Sequence, residues 1–395
     1  MFAPESCLPT SVRPEQPNPN ASIAAASTTF VARIPPSCRA RLRASRRDHC
    51  TGRVARYRHG GGSVKKVSLT GIKPTAQPHI GNWLGMHRPS LELAADPSVS
   101  AYYFVADYHA LTTIRDPAEL RRLTIDVAAV WLAFGLDPTR TLVYRQSDVP
   151  EVFELSWILA CFSPKGFMNK AHAYKAARDV NVAKGEDEDA GVNMGLYTYP
   201  ILMAADILIV DADVVPVGQD QVQHVEMARD MAQRFNHTYG AEVLKLPTAL
   251  VRGESGVVPG VDGRKMSKSY GNTLPCFSTA KQLRKAVMRI ETDSTPPEAP
   301  KDPETSLVFK IHRALLDKER TEALAAEYRA GISWGGAKQL LAEELEALLA
   351  EPRAKYDELM KDPSSIEDIL DDGAKRVRAI AGPVLGRVRD AVGVR

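Results

Sequence analysis

Thr70–Gly85 reads TGIKPTAQPHIGNWLG, and it sets the architecture of the chain. Just upstream, Val64–Leu69 (VKKVSL) has the composition of a short strand. Gly71–Pro78 is dense in turn formers, and apolar residues resume at helical spacing after Asn82. Strand, tight loop and helix start, in that order, aim backbone N–H groups and the positive end of a helix dipole at an anion in the crevice. His79 and Asn82 fall on the first helical turn, and Gly81 leaves room for a base or ribose against the backbone. A histidine here is also a natural cap or surface residue, so the chemistry rests on a second stretch.

That second stretch is Pro259–Asn272, PGVDGRKMSKSYGN. Gly260, Gly263 and Gly271 make it flexible, while Lys265, Lys268, Ser267 and Ser269 suit a polyphosphate better than a packed core. Alone it also reads as a solvated turn. Two phosphate-suited loops on one chain point to a nucleotide.

Between them the pattern alternates. AYYFVADYHAL (Ala101–Leu111) reads as a buried strand, and Asp116-Pro117-Ala118-Glu119 opens a helix running to Phe134 and stopping at Gly135. TLVYRQSDV (Thr141–Val149) reads as a strand and Glu151–Phe162 as a helix. Such alternation predicts an α/β fold, a Rossmann-like parallel sheet with ligands at the strand C-termini. Pro89 must kink or interrupt the helix after the first loop. Ser163–Leu196 is polar and reads as a helix-rich insertion or a flap over the site.

Tyr199–Leu208 is the most informative apolar run. Tyr199, Met203, Asp206 and Ile207 share one helix face. A carboxylate in YPILMAADILIV is costly to bury without a donor, and a backbone N–H at a helix end is one way to supply it. Gly218-Gln219-Asp220-Gln221 follows the short strand VVPV and precedes a helix. A glycine there lets a ribose approach and a carboxylate suits its hydroxyls, although a capped helix start needs the Asp too.

HIGN in a first strand-to-helix turn, with KMSKS nearly two hundred residues later, resembles the class I aminoacyl-tRNA synthetases. TYPILMAADIL (Thr198–Leu208), VPVGQDQVQHVE (Val215–Glu226) and ARDMAQRFN (Ala228–Asn236) resemble the tryptophan-specific branch, from about Val67 to the C-terminus. The resemblance implies activation of L-tryptophan by ATP and its transfer to tRNA(Trp). In it, His79, Asn82, Lys265, Lys268 and Lys175 are catalytic. Gly71, Lys73, Thr75, Gly81, Asn82, Gly218, Asp220, Met266 and Ser267 hold ATP. Asp206 accepts the indole N–H, Met203 and Ile207 pack on the ring, Tyr199 helps bind the amino group, and Gln221 touches the amino acid or adenylate. Magnesium arrives with ATP. Relatives are homodimers, and a cytoplasmic location is expected. Lys73 stands where many bacterial members have Gln, and Ala76 where Gly is common. A tyrosine enzyme of the same subclass and a non-catalytic sensor of tryptophan or tRNA are the competing readings.

The formal charge of +3 is uneven: residues 1–66 carry about +9 and the remainder about −6. Any nucleic-acid contact therefore comes from local basic patches. Residues 1–63 read as a disordered basic tail; a transit peptide, a tRNA-holding arm and an upstream start all remain open. Cys7, Cys38, Cys50, Cys161 and Cys276 form no CxxC pair, so no zinc site is expected; some members of the family that the chain resembles carry an iron–sulfur cluster in the C-terminal half, and with no cysteine after Cys276 none is expected here. No stretch is apolar and long enough to span a membrane. The resemblance implies two folded parts: 64–274, catalytic, and 275–395, a smaller helical tRNA anticodon-binding domain. Lys375, Arg376, Arg378, Arg387 and Arg389, near the C-terminus, read by themselves as a solvated helix face, and the resemblance makes them the expected phosphate contacts.

Overall fold

Five parallel strands carry the site: β1 (Lys66–Ile72), β2 (Val99–Val105), β3 (Leu142–Arg145), β4 (Val214–Pro216) and β5 (Thr248–Leu250), in the spatial order β3-β2-β1-β4-β5. This computed structural model describes residues 65–74, 77–251 and 258–394; Thr75, Ala76 and the expected tail lie outside them. The chain steps outward from β1 to β2 to β3, then returns to the other side of β1 with β4, where Ser68 pairs with Val214. The order reverses between β1 and β4, and a reversal opens a crevice at the strand C-termini. The GIKP and GQDQ turns leave from those two ends.

Side-chain alternation explains why the sheet is covered twice. Ala101, Tyr103, Val105 and Val143 face one core, while Leu69, Phe104, Leu142 and Tyr144 face the other. Helix Pro117–Ala133, capped by the Asp116 carboxylate on the Ala118 and Glu119 N–H groups, covers the first side and ends before Gly135 at φ +98°. Helices Glu151–Cys161, Met194–Leu208 and Val222–Tyr239 cover the second.

Two strands are shorter than their sequences suggest. After Val105 the backbone turns into the helical segment Asp107–Ala110, and after Arg145 into a tight turn at Gln146–Asp148. Asp107 ties the turns together by accepting from the N–H of Tyr108 (3.0 Å) and of Ser147 (3.1 Å). The first helix also differs. It does not break at Pro89 but widens into a π-type stretch at Trp83–His87, with the Arg88 N–H bonded to the Trp83 carbonyl, and continues as Arg88–Ala95. The wider turn absorbs the ring and the missing N–H. The polar stretch after Ser163 forms helices Lys165–Met168 and His172–Lys184, the second closed by Gly185 at φ +74°.

The C-terminal half is helical: Ala280–Met288, Leu307–Arg313, Lys318–Ala330, Trp334–Lys361 and Ser364–Val392. Its core is continuous with the sheet's. Leu341, Leu345 and Tyr356 share a cluster with Tyr103 and Trp131, and Val377, Val384 and Val388 share the other with Leu69 and Tyr144. Among the described residues no helix is long and apolar enough to cross a membrane.

Candidate active site

His79 is the N-cap of its helix. Its Nδ1 accepts from the Asn82 N–H at 3.3 Å, and Asn82 Oδ1 accepts from the His79 N–H at 3.1 Å. Accepting at Nδ1 places the ring proton on Nε2. Burial, and then the charge of Lys268, lower the His79 pKa to about 4, so the ring is neutral near pH 7. Capping and the ligand-facing role expected of this turn are thus compatible.

Gly81 is closely packed on its own chain. A Cβ there would stand 3.1 Å from the His79 ring and 3.5 Å from Met266 Cβ, so the space is filled by the chain itself. Two backbone bonds lace this turn to the end of the second loop: Ile80 N–H to the Leu274 carbonyl (2.9 Å) and Cys276 N–H to the Pro78 carbonyl (3.2 Å). The two motifs, far apart in sequence, form one structure.

Within the second loop, Met266 is buried and shares a core with Ile80 and Leu274. Lys265 and Ser267 flank it. Asn272, only 2 % exposed, clamps the loop: its Oδ1 accepts from the Ser267 N–H, and its Nδ2 donates to Asp262 Oδ1 and the Lys265 carbonyl. Gly263 and Gly271 take φ of +78° and +62°, a region that favours glycine. Partial burial lowers the Lys268 pKa, with Asp126 and Cys276 pulling the other way.

Asp206 is 2 % exposed, on helix Met194–Leu208. Its donors are side chains, not the end of a helix. Gln146 Nε2 lies 2.9 Å from both carboxylate oxygens, and His109 Nε2 lies 3.1 Å from Oδ2. The amide is oriented by its other end, where Oε1 accepts from the Tyr108 N–H at 3.2 Å. A carboxylate offers about four lone-pair positions, so three contacts leave room for one more donor. Burial raises the Asp206 pKa, and the bonds from His109 and Gln146 oppose it. Neither Gln146 nor His109 stood out in the sequence, because each lies inside a stretch that reads as strand.

Tyr199, two turns earlier on the same helix face, meets His224 through Oη and Nε2 at 2.6 Å, and its ring stands edge-on to His109 at 6.2 Å. Met203 is half-buried, whereas Ile207 is core. Lys73 donates to Thr112 Oγ1 (2.9 Å), which donates to the His109 carbonyl (2.8 Å), so Lys73 adjoins the Asp206 pocket. Burial lowers its pKa.

Gly71 and Gly218 sit at the C-terminal ends of β1 and β4. Phe104 lies against Gly71, where a Cβ would be 2.4 Å from its ring, and the Asp220 carboxylate lies against Gly218, 2.7 Å from a notional Cβ. Gln221 Nε2 donates to Asp220 Oδ2 at 3.0 Å. Lys175 is exposed on helix His172–Lys184 and, among the described residues, its ammonium contacts none of this group. No cluster of three His, Cys, Asp or Glu among them is placed to hold a metal ion.

Four of the five expected tRNA contacts at the C-terminus are engaged within the chain, and the fifth, Lys375, is exposed. Arg387 pairs with Asp211 (2.8 Å), Arg378 with Glu151 (3.0 Å), Arg389 with Glu154 (2.5 Å) and Arg376 with Asp372 (3.3 Å). All four guanidiniums tie the final helix to the sheet-bearing body, Arg376 through the Pro138 carbonyl at 3.4 Å.

A family model described as tRNA synthetases class I (W and Y) matches residues 65–350. The tryptophan--tRNA ligase of Bordetella parapertussis is 52% identical over 327 residues, 82% of this chain and 72% of the relative. That of Pseudomonas aeruginosa is 52% identical over 329 residues, 83% and 73%. The crystal structure of the Campylobacter jejuni tryptophanyl-tRNA synthetase, complexed with ADP and tryptophan, has a TM-score of 0.75 at 42% identity, covering 83% of this chain and all of the other.

Proposed function

The chain belongs to the class I tryptophan and tyrosine tRNA synthetases, and from that premise we propose how its residues serve the reaction. It activates L-tryptophan with ATP to tryptophanyl-adenylate and transfers the tryptophan to tRNA(Trp). The observation that carries the choice of amino acid is the remaining acceptor position on Asp206, which suits a single N–H donor such as that of indole. A site built on a buried acceptor rejects analogues lacking the donor by up to ~10⁴-fold, where apolar shape alone reaches about 10- to 200-fold. Tyr199 serves the amino group and Met203 the ring. The tyrosine reading is not favoured, since the relatives at 52% identity are tryptophan ligases.

Attack of a carboxylate on the α-phosphate of ATP demands positioning and charge stabilisation rather than a strong base. ATP, accompanied by magnesium as is general for this class, lies across the β1/β4 crevice. Gly71, Gly218 and Asp220 face the adenosine, His79 offers its Nε2–H and Asn82 its side chain, and Lys73 adjoins both substrates. Lys265, Lys268 and Ser267 follow the leaving pyrophosphate, and Met266 anchors their loop. Gln221 is assigned to the adenylate, and Lys175 reaches the phosphates only if its helix moves. We further propose a catalytic part at 64–274, a tRNA-reading helical part at 275–395, a homodimer and a cytoplasmic location.

The test is tryptophan-dependent ATP–pyrophosphate exchange on the full chain, run beside tyrosine and phenylalanine. Exchange with tryptophan alone supports the reading; exchange with none of them, from folded protein, overturns it.

A further inference from the structure

With the C-terminal arginines engaged, a denser run of unneutralised positive charge in the helical region lies elsewhere. Helix Ala280–Met288 carries Lys281, Arg284 and Lys285, its capping residue is Arg289, and no acidic residue occurs from Ala280 to Ile290. All four cations are exposed, and among the described residues none of their charged groups has an ion-pair partner. The contrast with Arg376, Arg378, Arg387 and Arg389, each held by a carboxylate, is sharp.

The arrangement is self-repelling. Lys281 faces Lys285 and Lys285 faces Arg289 at four-residue spacing, and Lys281 faces Arg284 at three, so like charges crowd one side of a short helix. Lys281 also sits in the first turn, against the positive end of the dipole. The helix tolerates this because it is fixed from beneath: Thr279 and Gln282 form a capping box, and Leu283 and Val287 are buried in the core that also holds Met266, Leu274 and Ile80. A rigid, unpaired cationic face, anchored to the loop that carries Lys265 and Lys268, gains most from an extended polyanion.

We propose that Lys281, Arg284, Lys285 and Arg289 form a surface that receives the phosphate backbone of tRNA. This rests on the tRNA-ligase reading above and adds where the tRNA is held. The triple variant Lys281→Gln, Arg284→Gln, Lys285→Gln, in the full chain, tests it by tRNA(Trp) binding across a salt series. Each phosphate contact contributes about 0.7 to 0.9 to the slope of log K against log salt, so the slope should fall by about 2 and affinity at moderate salt by about ten-fold. Tryptophan-dependent ATP–pyrophosphate exchange should stay unchanged, since all three side chains are on the surface. An unaltered salt slope overturns the surface whatever the exchange assay shows. An unaltered chain that lacks exchange overturns the activity instead, while the slope still decides the surface. The single variant Arg289→Gln should lower the slope by about 0.7 on its own, and no change there removes Arg289 from the surface.

Discussion

Gln146 holds both oxygens of Asp206 with one amide nitrogen, 2.9 Å from each, across sixty residues of sequence. This makes Gln146 a positioning residue for the carboxylate assigned to the indole. Replacing it by Met leaves a buried, half-satisfied carboxylate, a change worth about 1 to 3 kcal/mol. We expect kcat/KM for tryptophan to fall about 10- to 100-fold in pyrophosphate exchange, with the KM for ATP unchanged. Equal loss for both substrates would show a general collapse of the site.

Local signals made much of the fold legible. Asp116-Pro117-Ala118-Glu119 names a cap, a first-turn proline and an acidic first turn within four residues, and the helix begins there. The tight loop before His79 is as local. Gln146 and His109 were illegible because their meaning is tertiary. Their strands end one and four residues earlier, at turns fixed by Asp107 reaching Ser147 in the turn after the neighbouring strand. The ion pairs of the final helix were illegible for the same reason, since Glu151, Glu154 and Asp211 lie more than a hundred residues away.

That last point carries its own prediction. The pairs of Arg387 and Arg389 are partly exposed, so solvent screens them and each contributes little to stability. Arg387→Ala with Arg389→Ala should lower thermal stability by a few degrees, less at high salt, and leave the salt slope of tRNA binding unchanged. A lowered slope would return these residues to the tRNA surface.

Tyr356, on helix Trp334–Lys361, donates its hydroxyl to the buried Asp126 and accepts from Gln77 Nε2 at 2.9 Å. The C-terminal region thereby reaches the loop that leads into His79. Tyr356→Phe keeps the ring contact with Phe277 but deprives a buried carboxylate of its donor. Unfolding in urea should show a loss of about 1 to 3 kcal/mol. Asp126→Asn, which keeps an acceptor for the hydroxyl, should cost less.

His87 should give the protein a measurable acid sensitivity. Burial beside Trp131 and Phe134 holds its pKa near 3, against an ordinary 6.5. Between those values the unfolded chain binds a proton that the folded chain does not, so stability rises with pH across that window and is lost as pH falls through it. The contribution is about 1 kcal/mol per pH unit. His79 and His312, both held near 4, act in the same direction, while the raised carboxylates of Asp107 and Asp206 oppose them. Only a difference isolates one group. His87→Leu should flatten the slope of unfolding free energy between pH 4.5 and 6 by about one proton. An identical slope would mean that His87 is protonated in the fold.

Gly373 marks where the final helix touches the sheet, and it yields a pair of opposite outcomes. A Cβ at Gly373 would stand 1.8 Å from the Val143 carbonyl oxygen on β3, a backbone atom that cannot rotate away. Gly373→Ala must therefore lift helix Ser364–Val392 off the strand, disturbing the packing of Ile366, Leu370 and Val377, at about 1 to 3 kcal/mol or more. Gly386 lies on the same helix with nothing within 4 Å of its notional Cβ. There alanine meets no clash and contributes its better helix propensity, so Gly386→Ala should stabilise by about 0.5 to 1 kcal/mol. If both substitutions changed the unfolding midpoint in the same direction, the close approach of helix to strand would not be what makes residue 373 a glycine.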